Sequence, residues 1–192
     1  MKKIMFNDKY GLTQAVLEDR KTITRRAVPM HDYKYGFQVW YDTKTKQCCV
    51  CDGSFIVERS RYSVGEVVAI AQAYKYIYND SYHIGLYGRT AGWTNKMYVA
   101  AYRMPYHIKI TNIRVEHLQD ISDEDCLREG VYMDYDEHGG LYTTPYYDYP
   151  NNKHDGFDTP REAFAALIDK VSGKGTWESN RYVWVYEFEL VD

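Results

Sequence analysis

The sequence predicts a mainly β protein with some α structure, an α+β fold built as a small β-barrel with short peripheral helices. Three observations predict this class. Strand-like segments outnumber helical ones, and the two types do not alternate as they do in a βαβ fold. The clearest strand, 107–118, shifts its hydrophobic phase at Thr111 and Asn112, which is typical of a β-bulge in a bent barrel strand. Only three short segments have the spacing of amphipathic helices.

The strands are predicted from side-chain alternation or from short apolar runs bounded by turn residues. In the segment 36–51, Phe37, Val39 and Tyr41 alternate with other residues before a polar turn, which predicts a hairpin. The remaining predicted strands are 3–6, a segment beginning at Ile23, 65–71, 97–102, 107–118 and 182–191.

The three helices carry recognisable start and stop signals. Asn7 or Asp8 caps the first helix, which leads into a basic segment. Ser122 caps the second, acidic residues fill its first turn, and Gly130 ends it. Residues 159–162 form a capping box with proline at the first helical position, and apolar residues recur on one face after it.

Two stretches, 72–100 and 131–158, look like insertions because they are rich in Tyr and Gly and show little periodicity. Within the first, 74–92 is expected to be a long loop or an irregular hairpin. Most of the 21 tyrosines belong to such segments, where a hydrogen-bonded loop cover is favoured over a stacking surface. We find no internal repeat or linker, so the sequence predicts one domain over 1–192.

Charge is unevenly distributed along the chain. The net charge is −3, yet residues 119–158 contain eleven acidic and two basic residues, which leaves the remainder basic. A protein that coats nucleic acid would be basic overall, because its affinity comes largely from neutralising phosphates. The sequence therefore predicts one local basic site, or a ligand the size of a nucleotide.

The cellular compartment and the need for a cofactor are predicted from motifs that the sequence lacks. It has no apolar run long enough for a membrane helix or a signal peptide. Cys48, Cys49 and Cys51 are too close together for a disulfide framework, which favours a reducing, cytoplasmic compartment. The six histidines lack metal-ligand spacing, and no glycine-rich phosphate loop or serine nucleophile elbow is present. We expect no metal and no other cofactor.

The segment 20–26 is the strongest local signal, with four basic residues and no acid. One interpretation is a solvated turn after a helix, where cations are favoured by the helix dipole. The other is catalytic: Lys21, its pKa lowered by neighbouring arginines, acts as a base toward a Thr24 nucleophile. Glu129 joins this hypothesis because it ends a helix, where the dipole disfavours a carboxylate.

Four further residues are candidates for contacting a ligand or a nucleic acid. Arg20, Arg25 and Arg26 flank the Lys21–Thr24 pair and carry the positive charge. Trp177 lies in a glycine-bounded loop, where it either stacks on a base or sugar or forms a lid on the core.

The residues Lys21-Thr22-Ile23-Thr24-Arg25-Arg26, coming after an amphipathic helix, resemble the signature of the ASCH family, a branch of the PUA-like β-barrels written G-x-K-x-x-[ET]-x-R. The turn at 65–68, the bulged strand with the acidic helix after it, and the closing strand are also similar to that family. The long form resembles ASCH proteins of phages and intestinal anaerobes.

This resemblance implies a reaction. One bacterial ASCH subfamily is an amidohydrolase that removes the acetyl group from N(4)-acetylcytidine. By motif, Thr24 would attack the amide carbonyl, Lys21 would activate it, and Glu129 would relay a proton or orient the leaving amine. Asp19 stands where the family has glycine, and its carboxylate is expected to raise the pKa of the adjacent lysine.

Three classes of function remain open. The first is a site for RNA or a modified nucleoside in a basic cleft, with hydrolysis of an N(4)-acylated cytidine as its most specific form. The second is a non-catalytic module that reads an RNA end or a modified base through the same cleft. The third is a protein-interaction module that uses the acidic, Tyr-rich segment 131–158 to bind a basic partner.

Overall fold

A computed structural model describes residues 1–29, 33–135, 145–152 and 156–191. They form a mixed α+β structure in which sheets dominate. The strands are β1 Lys3–Ile4, β2 Ile23–Ala27, β3 Phe37–Asp42, β4 Gln47–Asp52, β5 Phe55–Arg59, β6 Val67–Ile70, β7 His107–His117, β8 Tyr132–Tyr135, β9 Pro145–Asp148 and β10 Tyr182–Leu190. The helices are α1 Leu12–Leu17, α2 Tyr74–Ile77, α3 Ser81–Tyr87, α4 Asp123–Arg128 and α5 Pro160–Ser172.

Three sheets organise these strands. The largest has the order β1-β6-β7-β10-β2, in which only the β1–β6 pair of the described strands is parallel. A second sheet joins β3, β4 and β5, and β8 pairs with β9. No closed barrel is found among the described strands, so the barrel expected from the sequence stays a prediction.

The bulge predicted in the longest strand is confirmed. Glu187 of β10 pairs with Asn112 of β7, whereas the next residue, Phe188, pairs with Ile110. Thr111 is therefore the extra residue, and the register shift lets the apolar side chains on both sides of it face the core. Ile110 and Ile113 are both buried.

The caps predicted for two helices are also confirmed. The Ser122 hydroxyl accepts a hydrogen bond from the Asp125 amide at the start of α4, at 3.1 Å. The Thr159 hydroxyl accepts one from the Glu162 amide at the start of α5, at 3.2 Å. The two helices contact each other and place Cys126 and Phe164 in the main hydrophobic core.

The prediction of a loop or hairpin over 74–92 was wrong, because the segment contains α2 and α3. The Asp80 side chain caps α3 by accepting from the His83 amide at 3.0 Å. The rings of Tyr74, Tyr78 and Tyr87 stack on one another, and those of Tyr78 and Tyr87 also stack on His83. Aromatic stacking thus stabilises short helices whose apolar spacing is not that of an amphipathic helix.

The strand predicted over 97–102 is absent from the structure, which has 3₁₀ turns at Lys96–Tyr98 and Ala101–Arg103. The reason is an ammonium group. Lys3 Nζ donates to the main-chain carbonyls of Lys96, Met97 and Val99, at 2.7–3.0 Å. Carbonyls that converge on one cation cannot at the same time follow a β ladder.

None of the helices in the described ranges is long and apolar enough to cross a membrane. Parts of the acidic segment 131–158, namely 136–144 and 153–155, lie outside the described residues. The histidines at 31, 138 and 154 lie outside them as well.

Candidate functional site

The structure brings Lys21, Thr24 and Glu129 together. Lys21 lies two residues before the start of β2, Thr24 belongs to β2, and Glu129 follows the last turn of α4. The Lys21 ammonium forms an ion pair with Glu129 Oε2 and donates to the Glu129 carbonyl at 2.7 Å. All three residues are buried, with Lys21 only 2% exposed.

The end of α1 holds Lys21 in this position. The amides of Arg20 and Lys21 both donate to the Ala15 carbonyl at 2.9 Å, which ends the helix, and Asp19 adopts a left-handed φ of 56° in the turn. That conformation favours glycine, and aspartate is among the few other residues that adopt it readily. On the other side, Gly130 has a φ of 106°, and a Cβ there would meet Leu12 at 3.2 Å.

A small cavity of about 40 Å³ opens between these residues and α5. Its polar lining is Lys21, Thr24, Arg25, Arg26 and Glu129, with Asn7 and Ser172 at its margin, and apolar side chains such as Phe164 and Leu167 complete it. No hydrogen bond joins the Thr24 hydroxyl to another residue in the described part of the chain. Thr24 and Lys21 thus line the same cavity, and they are a nucleophile and a base of the kinds that nucleophilic catalysis uses.

Burial lowers the pKa of the Lys21 ammonium, and the Glu129 carboxylate opposes that effect. The nearby Arg25 and Arg26 charges lower it further. The effect expected from Asp19 is not seen: Asp19 is exposed, and within the described residues no ion pair joins its carboxylate to Lys21. The acid that acts on Lys21 is Glu129.

Arg25 is the centre of a buried ion network. Its guanidinium bonds Glu116 at 2.6 Å, Asp125 at 2.9 Å and Glu129 at 3.2 Å, and the residue is 5% exposed. Arg114 and Arg128 extend the network to Glu187. Arg25 was predicted to contact a ligand; the structure aims its donors at carboxylates, where they orient Glu129.

This network predicts a loss of stability in acid. Burial raises the pKa of Asp125, but Arg25, Arg114 and Arg128 hold it below its ordinary 3.8. In the same way Arg128, Asn112 and Arg114 outweigh burial and hold the pKa of Glu187 below 4.5. The two carboxylates take up protons at a higher pH in the unfolded chain than in the folded protein. Their contribution to the free energy of unfolding is therefore complete above about pH 4.5 and is lost as the pH falls below that value.

Urea denaturation between pH 7 and pH 3 is the measurement for this prediction. The midpoint is expected to be flat above pH 5 and to fall below about pH 4.5. Asp123→Asn is the matched control, since Asp123 is exposed in the first turn of the same helix. The urea midpoint of Asp123→Asn should fall with pH as that of the wild type does, whereas the midpoint of Asp125→Asn should depend less on pH. If the midpoints of the two variants change equally with pH, the prediction is contradicted.

The remaining predicted site residues are dispersed. Arg20 is exposed and pairs with Glu18. Trp177 is half-buried against the core: its ring contacts Phe164 edge-on, with centroids 6.1 Å apart, and Arg161 lies 5.3 Å from its centroid. Trp177 does not line the Lys21 cavity. Its position therefore agrees with the interpretation that it covers the core, and not with the one in which it stacks on a ligand in that cavity.

Arg26 lines both the Lys21 cavity and a larger neighbouring cavity of about 340 Å³. Its guanidinium donates to the Met5 carbonyl at 2.6 Å. Burial lowers the pKa of this guanidinium, although it stays a cation. Arg26 has no ion-pair partner among the described carboxylates, so a partly buried positive charge faces open space.

The larger cavity contains residues that the sequence analysis missed. Arg61 lies on its wall with its guanidinium 5.7 Å from the centre of the Tyr62 ring. Trp184 and Tyr186 of β10 supply further aromatic lining. The signal was the run Arg59-Ser60-Arg61-Tyr62, where basic residues lie next to an aromatic at the end of β5. We call this space the basic pocket.

No group of three or more His, Cys, Asp or Glu residues that could hold a metal ion occurs in the described ranges. The cysteines at 48, 49 and 51 are buried in β4, and burial raises the pKa of the Cys48 thiol to about 11. A thiol that resists deprotonation is a poor metal ligand.

No protein-family model matches the sequence, and no curated protein matches it. Among solved structures, the chain is similar to a protein of Enterococcus faecalis described as belonging to family DUF984, with 12% sequence identity and a TM-score of 0.44. The alignment covers 100% of this chain and 81% of that chain. A similarity this weak carries no information on activity or ligand.

Proposed function

We propose that the chain is an ASCH-type protein of PUA-like barrel architecture that binds RNA or a modified nucleoside. One observation carries the proposal: Lys21, Thr24 and Glu129, which the sequence resemblance singles out together, share one cavity although the glutamate lies 108 residues from the lysine. The basic pocket beside them has about the volume that small-molecule sites have.

The proposed ligand is recognised mainly through charge. Arg26 and Arg61 offer cations to a phosphate, and the buried rings of Tyr62 and Trp184 form part of the apolar wall of the pocket. Arg26 lines both spaces, so the proposal has the nucleotide held in the basic pocket and its acyl group directed toward the Thr24 cavity.

The proposed reaction is hydrolysis of the amide of an N(4)-acylated cytidine. Thr24 Oγ1 attacks the acyl carbon while its proton passes to the neutral Lys21 amine, which burial favours. The C–N bond then breaks, and the cytosine amine leaves with that proton. Water hydrolyses the acyl-threonine ester to the free acid, which restores the hydroxyl. Glu129 holds the lysine in place and stabilises its charged form.

A non-catalytic reader is the second candidate, and one observation favours it. The Lys21 ammonium donates to Glu129 and forms no hydrogen bond with Thr24 in the part of the chain that the structure describes. In that state the lysine is already protonated and cannot accept the threonine proton. A reader would use Arg26 and the basic pocket for binding alone.

Incubation with N(4)-acetylcytidine, followed by chromatography of the products, tests the proposal. The wild-type protein is expected to release cytidine and acetate, Thr24→Ser to retain activity, and Thr24→Ala to lose about 10³-fold or more. Thermal melts of the three proteins control for folding, since Thr24 is buried.

Binding of a short RNA, measured at two salt concentrations, separates the two candidates. Salt-sensitive binding without turnover, weakened by Arg26→Ala and unchanged by Arg20→Ala, would establish the reader. Absence of both turnover and RNA binding would overturn the proposal and leave the segment 131–158 as the remaining predicted interaction surface.

A further inference from the structure

Strand β3 forms an open edge of the sheet that joins β3, β4 and β5. It pairs with β4 on one side, in a register that runs without a break from Phe37 opposite Asp52 to Asp42 opposite Gln47. On its other side no strand of the described ranges pairs with it, and no described residue forms a hydrogen bond with the main-chain groups that point that way. An edge of this kind offers free N–H and C=O groups to a further strand.

The hydrogen-bond phase of β3 identifies the residues whose main-chain groups are free. In an antiparallel pair, residues that exchange hydrogen bonds alternate with residues whose main-chain groups point away from the partner strand. The Gly53 amide donates at 3.0 Å to the carbonyl of Gly36, the residue directly before Phe37. Gly36 therefore faces β4, and Phe37, Val39 and Tyr41 direct their N–H and C=O groups outward.

Strand β4 gives the same phase from its other side. The Ser60 amide donates to the Cys48 carbonyl at 2.8 Å, so the main-chain groups of Cys48 point toward β5. Cys48 lies opposite Tyr41 in the pairing of β4 with β3. Tyr41 consequently receives no hydrogen bond from Cys48, and its main-chain groups belong to the open edge.

The side chains of the same three residues continue the apolar core toward this edge. They share one face of β3, the face on which Val50 and Cys48 of β4 are buried in the core. Phe37 packs against the core, whereas Val39 is 46% exposed and Tyr41 is 40% exposed. The core layer therefore ends at β3 with apolar surface left uncovered.

Strand β3 also lacks the features that keep edge strands apart. It contains no proline and no lysine, and its pairing with β4 has no bulge. Its one charged residue, Asp42, is neutralised by Arg59 at 3.0 Å. The opposite edge, β5, differs, because its register with β4 shifts between Val50 and Cys51 and it carries both Glu58 and Arg59. The contrast favours β3 as the edge that is open to association.

We infer that β3 pairs antiparallel with β3 of a second copy of this chain, about a two-fold axis at Val39. In this register Val39 faces Val39 of the second copy and Phe37 faces Tyr41. All three free residues of each copy then enter hydrogen-bonded pairs, each of which exchanges two main-chain bonds. An axis at Trp40 would instead place Phe37 opposite Thr43, beyond the end of the strand, and would form fewer bonds.

The occupant is a second copy because β3 is complementary to itself. The three free residues are symmetric about Val39, so a copy turned by the two-fold axis presents matching donors and acceptors. Apolar side chains face apolar side chains on the core side of the sheet. Asp42 then lies opposite Gly36 of the second copy, and no like charges meet. The inference goes beyond the proposed function, because no residue of β3 lines the Lys21 cavity or the basic pocket.

Sedimentation velocity of the full chain, from about 1 to about 100 µM, tests the inference. The wild-type protein is expected to shift from monomer to dimer as the concentration rises. Val39→Lys is expected to weaken the dimer about tenfold or more, because two lysines then face each other where two valines were buried. Phe55→Lys is the matched control: it adds the same charge at an exposed position of β5, and its dimer should be as stable as that of the wild type.

Engineered cysteines test the register of the pairing. Residues that face each other in a hydrogen-bonded pair have Cα atoms about 5.5 Å apart, within the range that a disulfide spans. With oxidised glutathione, Val39→Cys is therefore expected to cross-link two copies into a dimer on a non-reducing gel. Gln38→Cys is the matched control, because Gln38 faces Trp40 of the second copy and the two Gln38 positions are more than about 7 Å apart. The four native cysteines are buried.

The variants change exposed positions, and circular dichroism spectra check that each one is folded. The inference is overturned if the wild type stays monomeric over this concentration range, whether or not the edge then binds a strand of another protein. It is also overturned if Val39→Lys dimerises as well as the wild type, or if Gln38→Cys cross-links as readily as Val39→Cys. Failure of the amidohydrolase assay leaves these results unaffected.

Discussion

Arg25→Met is expected to lower the free energy of unfolding by about 3–5 kcal/mol at pH 7. The Arg25 guanidinium is buried against Glu116, Asp125 and Glu129, at 2.6–3.2 Å. Methionine fills part of the volume of the side chain but offers no hydrogen-bond donor. The carboxylates then lose the cation that balances them in a low-dielectric environment, and this cost is much greater than that of losing a surface ion pair.

Urea denaturation of purified protein measures this change, with Lys109→Met as the matched control. Lys109 pairs with Glu189 at 3.2 Å, and the two side chains are about half exposed. Since exposed ion pairs stabilise little, the control is expected to lose less than about 1 kcal/mol. If Arg25→Met and Lys109→Met unfold at the same urea concentration with the same slope, the network does not stabilise the fold.

Features of the fold that depend on local sequence were predictable. The bulge at Thr111 follows from a change of hydrophobic phase within one strand, and the caps at Ser122 and Thr159 need only neighbouring residues. Features that depend on distant partners were not. The turns after Asn95 form because Lys3, far away in sequence, draws three carbonyls together. Helix α3 is stabilised by ring stacking, which periodicity does not detect.

The residues of the candidate site can also be separated into those that local sequence predicts and those that depend on distant partners. Lys21 and Thr24 were predicted because they are three residues apart on one segment. Glu129 was noticed because a carboxylate at a helix end is unfavourable, and the structure supplies the reason: the Lys21 ammonium binds both its carboxylate and its carbonyl, so a cation offsets the helix dipole there. The arginine network was missed, since Glu116 reaches Arg25 only through the pairing of β7, β10 and β2.

The Lys21–Glu129 pair is expected to respond unequally to the loss of each partner. Glu129→Leu leaves the Lys21 ammonium, 2% exposed, with no carboxylate among its contacts, and is expected to cost about 3–5 kcal/mol. Lys21→Met leaves Glu129 with the Arg25 guanidinium at 3.2 Å, so the expected loss is smaller, about 1–3 kcal/mol. The double variant should be more stable than the sum of the two losses implies.

The pH dependence of these variants distinguishes a buried charge from a simple packing defect. Burial lowers the pKa of Lys21 below 10.5, so the unfolded chain binds its proton more tightly than the folded protein does. Stability should therefore rise with pH between the folded-state pKa and 10.5. Glu129 opposes the effect of burial, so its removal lowers the folded-state pKa of Lys21 further. The pH range over which stability rises is therefore wider in Glu129→Leu.

Urea denaturation of Glu129→Leu at pH 7 and pH 10, compared with Lys21→Met/Glu129→Leu, isolates the lysine, because the two proteins differ at Lys21 alone. The gap in unfolding free energy between them is expected to narrow by about 1 kcal/mol or more at pH 10, where the folded Glu129→Leu protein holds its lysine as the neutral amine. A gap that stays constant with pH would show that Lys21 is not a buried charge. The neutral amine required for proton transfer from Thr24 would then lack its physical basis.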